Sequence, residues 1–339
     1  MSRIKDVAEA AGVSLSTASI VINGKAEERK ISKKTQEKVL KAMHALNYIP
    51  NVSAKTLRRG DSQSYTIALF WNFDFRSTMM HRFLFGLQKR ILEAKVNMSI
   101  VVHPYQTGNL RKEEESFLHG AFHAAIIANA NGDDLDYLRC SSFRIPVILY
   151  NRLLEGYCSV NVDDKKIGRL AADHLYSQGY RYPAVVHGTQ NFPGATKREE
   201  GFFERMEEHG VKLPENKIIY AGNSLKGGFE CGKLMLEKHS IDMADCYFCS
   251  SDFIGLGLLN AWAEEKLVPK KIGVIAMGNH DPQYSKYHVP SLTVINMPIE
   301  EMAEQCCQFL IDRMYTLADE PAVKFFETKL YARDSTRRS

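Results

Sequence analysis

From Tyr65 onward, short apolar runs alternate with amphipathic segments of helical length, and this alternation restricts the fold more than any other feature of the chain. The runs lie at 66–70, 99–102, 124–128, 146–150, 183–186, 247–249 and 272–276. Such alternation predicts parallel β-sheets whose two faces are both covered by helices. About 279 residues are involved, more than one compact core holds, so two lobes are expected.

The beginning of the chain follows a different pattern, in which apolar residues are spaced at helical intervals. Four of them recur at i, i+3, i+4 and i+7 on one face of a first short helix: Ile4, Val7, Ala8 and Ala11. Gly12 then ends this helix. Ser14 is a suitable N-cap for a second helix that begins near Leu15.

The second helix has an outward face of small and mainly polar residues, formed by Ser16, Ser19, Ile20 and Asn23. Ser32 caps a third helix, whose apolar residues repeat the same spacing, and Pro50 ends it. Three short helices around one small core predict a helix-turn-helix headpiece over residues 1–50.

The headpiece and the segment that follows it carry an excess of positive charge. Residues 1–60 hold eight Lys and four Arg against five acidic residues, a net charge of +7, whereas the rest of the chain is −3. A basic end on a mildly acidic body predicts that this end neutralises nucleic-acid phosphates, with an affinity that falls as salt rises.

Four segments carry a likeness to a known family: IKDVAEAAGVS at 4–14, STAS at 16–19, VING at 21–24 and LNYIPN at 46–51. In these segments the chain resembles the LacI/GalR family of bacterial transcriptional regulators, and the resemblance continues more loosely along nearly the whole chain. It implies a headpiece over 1–50, a hinge over 51–62 and a two-lobed, periplasmic-binding-protein-like α/β core over 63–339, each lobe a doubly wound parallel sheet.

The resemblance also implies that the chain crosses between the lobes near 160, 290 and 320. Lobe 1 would then hold about 63–160 and 291–320, and lobe 2 about 161–290 and 321–333. A small ligand is expected in the cleft between the lobes, at the carboxyl ends of the strands.

In the family, the second helix enters the major groove of operator DNA. The resemblance implies base contacts from Leu15, Ser16 and Ile20, phosphate contacts from Ser14, Thr17 and Ser19, and a further DNA contact from Asn23. Position 20 departs from the family pattern, because many members carry Arg there and Ile offers only apolar contact, such as packing on a thymine methyl group. We therefore expect a shifted operator preference.

Residues 51–60 are predicted to form a short helical hinge. About two helical turns do not persist alone in water, and in the family this hinge becomes ordered on DNA. The resemblance makes Leu57 the wedge that enters the minor groove, with Ala54 and Arg58 as neighbouring DNA contacts. The alternative is a plain basic linker.

Several residues fall where the ligand cleft is expected. Four of them follow the first core strand: Trp71, Asn72, Phe73 and Asp74. An aromatic ring, an amide and a carboxylate suit the binding of a sugar ring and its hydroxyls. The resemblance adds Asp163 at the lobe crossing, Arg198 as a ligand-binding arginine and Phe248 as an aromatic platform. For Asp252, a role as a helix cap is preferred over a ligand contact.

One departure from the family concerns the loop after the apolar run at 272–276. Where many members have an aromatic residue and then Asp, this chain has Asn279-His280-Asp281-Pro282. Three interpretations stay open: His280 takes the place of the acid, a shift of register lets Asp281 take it, or His280 is a loop surface residue. No particular sugar is implied.

Dimerisation is expected through the core lobes, and two-fold symmetry predicts a palindromic operator. The candidate interface residues are Phe83, Leu84, Leu87, Ile91 and the helix at 306–314. Their spacing fits ordinary core packing better. No heptad repeat follows Tyr331, so a tetramer built on a terminal coiled coil is not expected.

Other chemistry is sparse. Cys246 and Cys249 have no second pair to complete a zinc site, and seven irregularly placed cysteines fit a reducing cytoplasm. No secretory leader and no apolar run of 18 residues is seen, so neither export nor membrane insertion is expected. We expect no metal, no cofactor and no catalytic residue.

The sequence therefore predicts a cytoplasmic homodimer that binds double-stranded operator DNA and a small effector, a sugar or sugar derivative, and represses a carbohydrate uptake or catabolism operon. The alternative within this class is a corepressor-dependent or activating regulator that senses a nucleobase or a sugar phosphate. A sugar-binding transport receptor shares the core fold but has no headpiece. An enzyme needs paired acid and base groups in the cleft, for which the sequence has no motif.

Overall fold

The structure is a computed structural model that describes residues 4–22, 26, 29–46, 64–72, 74–114, 117, 122–143, 145–190, 192–215, 217–237, 244–268, 270–315 and 320–338. Its N-terminal part forms the helices α1 (Ile4–Ala11), α2 (Leu15–Ile22) and α3 (Lys33–Ala45). These helices form the headpiece.

The headpiece is built as its sequence pattern predicts. Gly12 turns the chain between α1 and α2 with φ +65°, a conformation that favours glycine. Ser14 Oγ accepts the Thr17 N–H at 3.1 Å, and this caps α2. Ser32 Oγ accepts the Thr35 N–H at 3.3 Å at the start of α3. The core between the helices includes Val7, Ala8, Ala11, Ala18, Val21, Val39 and Ala42.

The core follows in alternating strands and helices. In chain order its elements are β1 (Tyr65–Asn72), α4 (Met80–Ala94), β2 (Met98–Tyr105), β3 (Ala124–Ala128), α5 (Gly132–Cys140), β4 (Val147–Tyr150), β5 (Cys158–Val162), α6 (Asp164–Ser177), β6 (Pro183–Gly188), α7 (Pro193–Glu208), β7 (Ile218–Ala221), α8 (Leu225–Glu237), β8 (Cys246–Cys249), α9 (Asp252–Ala261), β9 (Gly273–Gly278), α10 (Pro282–Tyr287), β10 (Thr293–Asn296), α11 (Ile299–Tyr315), β11 (Val323–Phe326) and β12 (Lys329–Tyr331). Short 3-10 turns lie at Phe75–Met79, Leu110–Glu113 and Asp334–Thr336.

The described strands form two sheets, ordered β11-β5-β4-β3-β1-β2 and β12-β10-β9-β8-β6-β7. Their paired neighbours are parallel, except that β10 and β12 are antiparallel. Both faces of each sheet are covered. In β1, for example, Ile67 and Leu69 point into one buried cluster, and Ala68 and Phe70 point into another. The predicted two-lobed, doubly wound core is confirmed.

The chain crosses between the lobes later than predicted. The strand at 293–296 lies in the second sheet, and the strand at 323–326 lies in the first. Crossings near 290 and 320 place these two strands in the wrong lobes, whereas the first crossing follows Val162, near the predicted position 160. The reason is that α11, after β10, is the element that returns to pack on α4 of lobe 1. A short apolar run does not specify which sheet accepts it. None of the described helices is long and apolar enough to span a membrane.

Candidate DNA-binding helix and ligand-binding cleft

The outward face of α2 carries residues that are predicted to contact DNA. Leu15 is 49% exposed, and Ser14 and Ser16 are exposed beside it. Ser14 Oγ lies 2.9 Å from Ser16 Oγ and 2.8 Å from Thr17 Oγ1, so three hydroxyls form one cluster at the start of the helix. Hydroxyls and free amides at a helix N-terminus suit a phosphate oxygen.

Further along α2, Ser19 and Ile20 are half-buried. That any of these residues touches DNA stays a prediction. Four other predicted contacts lie outside the described residues: Asn23, Ala54, Leu57 and Arg58.

A cleft lies between the two lobes. Its first cavity, of about 60 Å³, is bordered by the ends of strands and the segments that follow them in both sheets. A second cavity, of about 130 Å³, shares Arg76, Asn129, Arg152 and Phe192 with the first. Doubly wound sheets bind ligands at this edge, outside the carboxyl ends of their strands. A third cavity, of about 590 Å³, is bordered by residues 108–143 of lobe 1 alone and is not part of this cleft.

Three arginines border the first cavity, and the described residues that border it include no acidic side chain. Arg76 is paired with Asp74, whose Oδ1 and Oδ2 both lie 3.0 Å from Arg76 Nε. Arg198 is paired with Asp164, because its Nε donates to Asp164 Oδ1 at 2.8 Å and its second amino group lies 2.7 Å from the same oxygen. Each of these two guanidinium groups therefore has its own carboxylate.

Arg152 is different, because its described hydrogen bonds go to backbone carbonyl oxygens. Its Nε donates to the carbonyl of Ala130, and its amino group donates to the carbonyl of Asn151 at 2.6 Å. Burial lowers the pKa of the Arg152 guanidinium, and the charge of Asp164 partly opposes that effect. No ion pair joins Arg152 to a carboxylate within the described part of the chain.

Two neutral features of the cleft also favour a ligand with hydrogen-bond acceptors. Asn129 is only 9% exposed, and its Nδ2 is buried without a hydrogen-bond partner among the described residues. At the start of α7, the N-cap residue Phe192 and the nearby Gly194 both border the first cavity. The positive end of this helix therefore lies at the cavity wall.

Some of the predicted ligand contacts do lie at the cleft. Arg198 borders the first cavity, and Asp74 borders the second. Asn72 lies beside them and donates its Nδ2 to Asp74 Oδ2 at 3.1 Å and to Thr107 Oγ1 at 2.6 Å. Phe73 lies outside the described residues. That these side chains bind a ligand stays a prediction.

Two predicted aromatic contacts lie in the core instead. Trp71 is 1% exposed, and its ring packs on Phe83 and Tyr150 at centroid distances of 5.4 and 6.3 Å. Phe248 is 2% exposed and packs on Phe202 at 5.3 Å. Both residues lie within strands, where alternation points them into the buried face of the sheet. Their prediction as cleft residues is wrong.

The predicted cleft acid at the lobe crossing is displaced by one residue. Asp163 is exposed and caps α6, because its Oδ1 accepts the Lys166 N–H at 3.0 Å. The adjacent Asp164 is the acid that meets Arg198. Two consecutive aspartates look equivalent in the sequence, and the start of the helix decides which one faces inward.

His280 is neither a cleft ligand nor a loop surface residue. It is 5% exposed, its backbone N–H donates to Asp252 Oδ2 at 3.0 Å, and its Nδ1 is hydrogen-bonded to Asp252 Oδ1. Its ring stacks on Phe253 with centroids 3.6 Å apart. The prediction for Asp252 is also wrong, because Ser251 is the N-cap of α9 and Asp252 is the buried partner of His280.

Asp281, the other candidate in this loop, caps α10 by accepting the Gln283 N–H at 2.9 Å. The residue of the loop that does border the first cavity is Asn279. All three interpretations of this loop are therefore wrong.

Behind the cleft, Arg82 of α4 joins the two lobes. Its guanidinium donates to the carbonyl oxygens of Asn279, His280 and Met297, each at 3.2 Å. It also pairs with Glu300, whose Oε2 lies 2.6 Å from an Arg82 amino nitrogen. The loop that ends β9 in lobe 2 is thus bonded directly to a helix of lobe 1.

Four polar cleft residues that were not predicted share one sequence signal. Each is a polar residue within the first few positions after an apolar run: Asn129, Arg152, Ser250 and Asn279. Because parallel strands end at one edge, a search of these positions alone finds them. Family motifs draw attention to other positions.

Comparisons with known proteins agree with this architecture. The family described as "Bacterial regulatory proteins, lacI family" matches residues 3–51, and the "Periplasmic binding protein-like domain" matches residues 172–336. The crystal structure of a LacI family transcription regulator from Clostridium acetobutylicum is 33% identical, covers 80% of this chain and 100% of its own, and has a TM-score of 0.75.

Two further proteins match along almost their entire length. "Probable HTH-type transcriptional repressor ExuR" of Bacillus subtilis (strain 168) is 28% identical over 100% of this chain and 99% of its own. The lac repressor dimer, bound to operator and the anti-inducer ONPF, matches 100% of this chain and 99% of its own at 20% identity with a TM-score of 0.71, which supports the fold alone.

These proteins are transcriptional regulators, and the match to the Clostridium regulator extends over its whole length. The headpiece, with its hydroxyl-bearing second helix, and the two-lobed core, with its cleft, are the two parts that such a regulator needs. The chain belongs to the lacI family of bacterial transcription regulators.

Proposed function

We propose that the protein is a repressor that binds a palindromic operator as a homodimer and responds to a small ligand in the interlobe cleft, in control of genes for carbohydrate uptake or catabolism. The observation that supports this most is that both lobes supply the cleft wall. Arg76 and Asn129 come from one side, and Arg198 and Asn223 come from the other. A ligand that touches both sides favours one arrangement of the lobes over another.

The size and lining of the cleft support a ligand of about one sugar ring. Its cavities of about 60 and 130 Å³ are small beside the roughly 300 Å³ at which sites for drug-sized ligands begin. Amide side chains of Asn129, Asn223 and Asn279 suit hydroxyl groups, and the Phe192 ring offers an apolar face. This combination is typical of carbohydrate sites.

DNA recognition is assigned to α2. The exposed Leu15 and Ser16, together with Ile20, would face base edges, and Ser14, Thr17 and Ser19 would contact phosphates. The net charge of +7 over residues 1–60 supplies the attraction to DNA that is independent of sequence.

For the dimer, the predicted interface residues of α4 pack on the core of the protomer, with Leu84 and Ile91 partly buried against it. Phe83 and Leu87 are fully buried within the protomer, as core packing predicts. Phe85 and Leu92 are 63% and 68% exposed on the same helix, which makes them the better candidates for contact with a second subunit. The dimeric lac repressor, which shares the fold, supports a two-fold arrangement.

The test is a gel-shift of the purified protein on palindromes selected from random DNA, repeated with monosaccharides, sugar phosphates and nucleobases. Release by one compound supports a repressor with that inducer. Tightening by one compound supports the corepressor-dependent alternative. Failure to select any palindrome contradicts the proposal.

The same experiment checks the ligand site through Arg198→Ala. We expect this variant to lose the response to ligand and to keep basal operator binding, because Arg198 borders the cavity and the headpiece is untouched. Arg139→Ala is the matched control, since Arg139 is exposed on α5 and pairs only with Asp136 of the same helix among the described residues. A wild-type response in Arg198→Ala would falsify this assignment.

A further inference from the structure

The interlobe cleft contains one arginine that forms no ion pair with a described acidic group. Asp74 neutralises Arg76, and Asp164 neutralises Arg198. Arg152 borders both cavities, and only backbone carbonyl oxygens accept its described hydrogen bonds. The three arginines of the cleft thus face two carboxylates, an excess of one positive charge.

An arginine side chain stays protonated at neutral pH. Moving its charge out of water costs free energy, and only a close partner offsets that cost. Several exposed or half-buried arginines of this chain have such partners. Arg169, for example, meets the two oxygens of Glu208 at 2.8 and 2.7 Å. An arginine that lacks a carboxylate in a cleft for small ligands is a candidate to receive the carboxylate from the ligand.

A second observation lies on the same wall. The Nδ2 of Asn129 is a buried donor without a partner among the described residues, and Asn129 borders both cavities together with Arg152. Phe192, at the start of α7, also borders both cavities, so the positive end of this 16-residue helix lies there too. A guanidinium, an amide donor and a helix N-terminus all favour a negatively charged acceptor.

We propose that the cleft takes a monosaccharide-sized ligand that carries one carboxylate, and that this carboxylate pairs with Arg152 and Asn129. The inference rests on the proposed function and names the chemical class of its ligand. A carboxylate matches the single excess charge and the planar fork of a guanidinium. A phosphate ester, with a charge of about −1.5 to −2, would exceed it.

The test uses the full-length protein and measures binding by calorimetry and by the shift in melting temperature. The probes are glucose and galactose, the uronic acid of each, and the 6-phosphate of each. We expect at least one uronic acid to bind, and its neutral hexose to bind about 10- to 100-fold more weakly, the range for loss of a hydrogen-bonded charge.

Variants connect that preference to Arg152. Arg152→Gln should weaken binding of the acid by about 10- to 100-fold, to the level of the neutral hexose, because the charge is removed. Arg152→Lys keeps the charge and should keep part of the preference. Arg139→Gln, on the exposed face of α5, should bind like the wild type. Circular dichroism of each variant confirms that it is folded.

Four outcomes overturn the inference: equal affinity for acid and hexose, preference for the phosphate ester, no stabilisation by any uronic acid, or an unchanged acid preference in Arg152→Gln. The proposed function is tested separately. Operator release by a neutral sugar keeps the proposed function and overturns the carboxylate. A uronic acid that binds through Arg152 without any effect on operator binding keeps the carboxylate and contradicts the proposed function.

Discussion

At the scale of single residues, Ile20 is the most informative position of the headpiece. It lies on α2, one turn beyond Ser16, and its side chain is half-buried. An isoleucine cannot donate or accept a hydrogen bond, so its contribution to base recognition is limited to apolar contact, as with the thymine methyl group. Replacement by a side chain with donors should therefore change which base is read.

We expect Ile20→Arg to shift the selected half-site toward guanine at the position that faces residue 20, with a preference of about 1–3 kcal/mol. Selection of operators from random palindromes measures this directly. Ile20→Val is the matched control and should select the wild-type bases. If Ile20→Arg also selects the wild-type bases, Ile20 does not lie on the base-reading face.

The candidate cleft shows what residue-level patterns reveal and what they do not. Arg198 was placed correctly at the cleft from its family motif. Trp71 and Phe248 were misplaced in the cleft, whereas both lie in the core. The sequence does not show at which residue a strand ends. Because side chains alternate between the two faces, an error of one residue assigns a side chain to the wrong face. Arg152 was not predicted, because its importance lies in the absence of a carboxylate partner, and that is a property of the folded molecule.

At the scale of elements, α6 and α7 are held at an unusually close distance. A Cβ atom at Gly168 of α6 would lie 1.9 Å from the carbonyl oxygen of Arg198 and 2.6 Å from the amide nitrogen of Phe202. Since α7 also carries the Arg198 side chain, the contact between these helices positions part of the cleft wall.

Gly168→Ala should therefore destabilise the protein by about 1–3 kcal/mol, the typical cost of overpacking, and should also weaken ligand binding. Urea denaturation measures the first effect and calorimetry the second. Gly132→Ala on α5 is the control, because a Cβ there meets no atom within 4 Å. Equal stability of the two variants would show that α6 and α7 can separate without cost.

The same two helices predict a pH dependence of stability. Hydrogen bonds from Arg169 and Arg205 lower the pKa of Glu208 to about 2. The ordinary pKa of a glutamate in an unfolded chain is about 4.3, so the folded state holds the proton less tightly than the unfolded state. The contribution is complete above the unfolded pKa and is lost as pH falls toward about 2.

We expect Glu208→Gln to flatten the fall of the unfolding free energy between about pH 5 and pH 2, measured by urea titration at low salt. Because Glu208 is exposed, added salt should reduce the difference from the wild type. Glu264→Gln, at another exposed glutamate, is the control for removal of one surface carboxylate. A Glu208→Gln profile identical to the wild type contradicts the expectation.

At the scale of the whole molecule, the proposed function requires the headpieces and the cleft to communicate through the hinge at 51–62. Leu57 is proposed as the residue that inserts into the minor groove there. We expect Leu57→Ala to weaken specific operator binding by about 10- to 100-fold. Without the inserted leucine side chain the DNA is bent less, and it contacts less of the protein surface. A gel-shift with the selected palindrome measures this.

Ligand binding by Leu57→Ala, measured by calorimetry, should equal that of the wild type, because the cleft lies in the core. Thr56→Ala is the control for a change of hinge residue next to the proposed wedge. Unchanged operator affinity in Leu57→Ala would assign this segment to a plain basic linker.

The overall architecture was predictable, because alternation of apolar runs and helical segments over more than 200 residues leaves few solutions other than two covered parallel sheets. The order of the lobes along the chain was less so. The strand at 293–296 pairs with β9, the strand before it in the chain, whereas the strand at 323–326 pairs with β5, which is distant in sequence. No local sequence pattern indicates which sheet such a strand joins.

Arg82 has a thermodynamic consequence for the complete regulator. It bonds the carbonyl oxygen of Asn279, whose residue also borders the cleft, to α4, the helix that exposes Phe85 and Leu92. A loop that borders the cleft is therefore bonded to the helix whose exposed face is proposed to meet the second subunit. Linkage is reciprocal: a ligand that weakens operator binding by some factor is itself bound more weakly, by the same factor, when the protein is on its operator. In such a molecule, operator DNA regulates the cleft as much as the ligand regulates the headpiece.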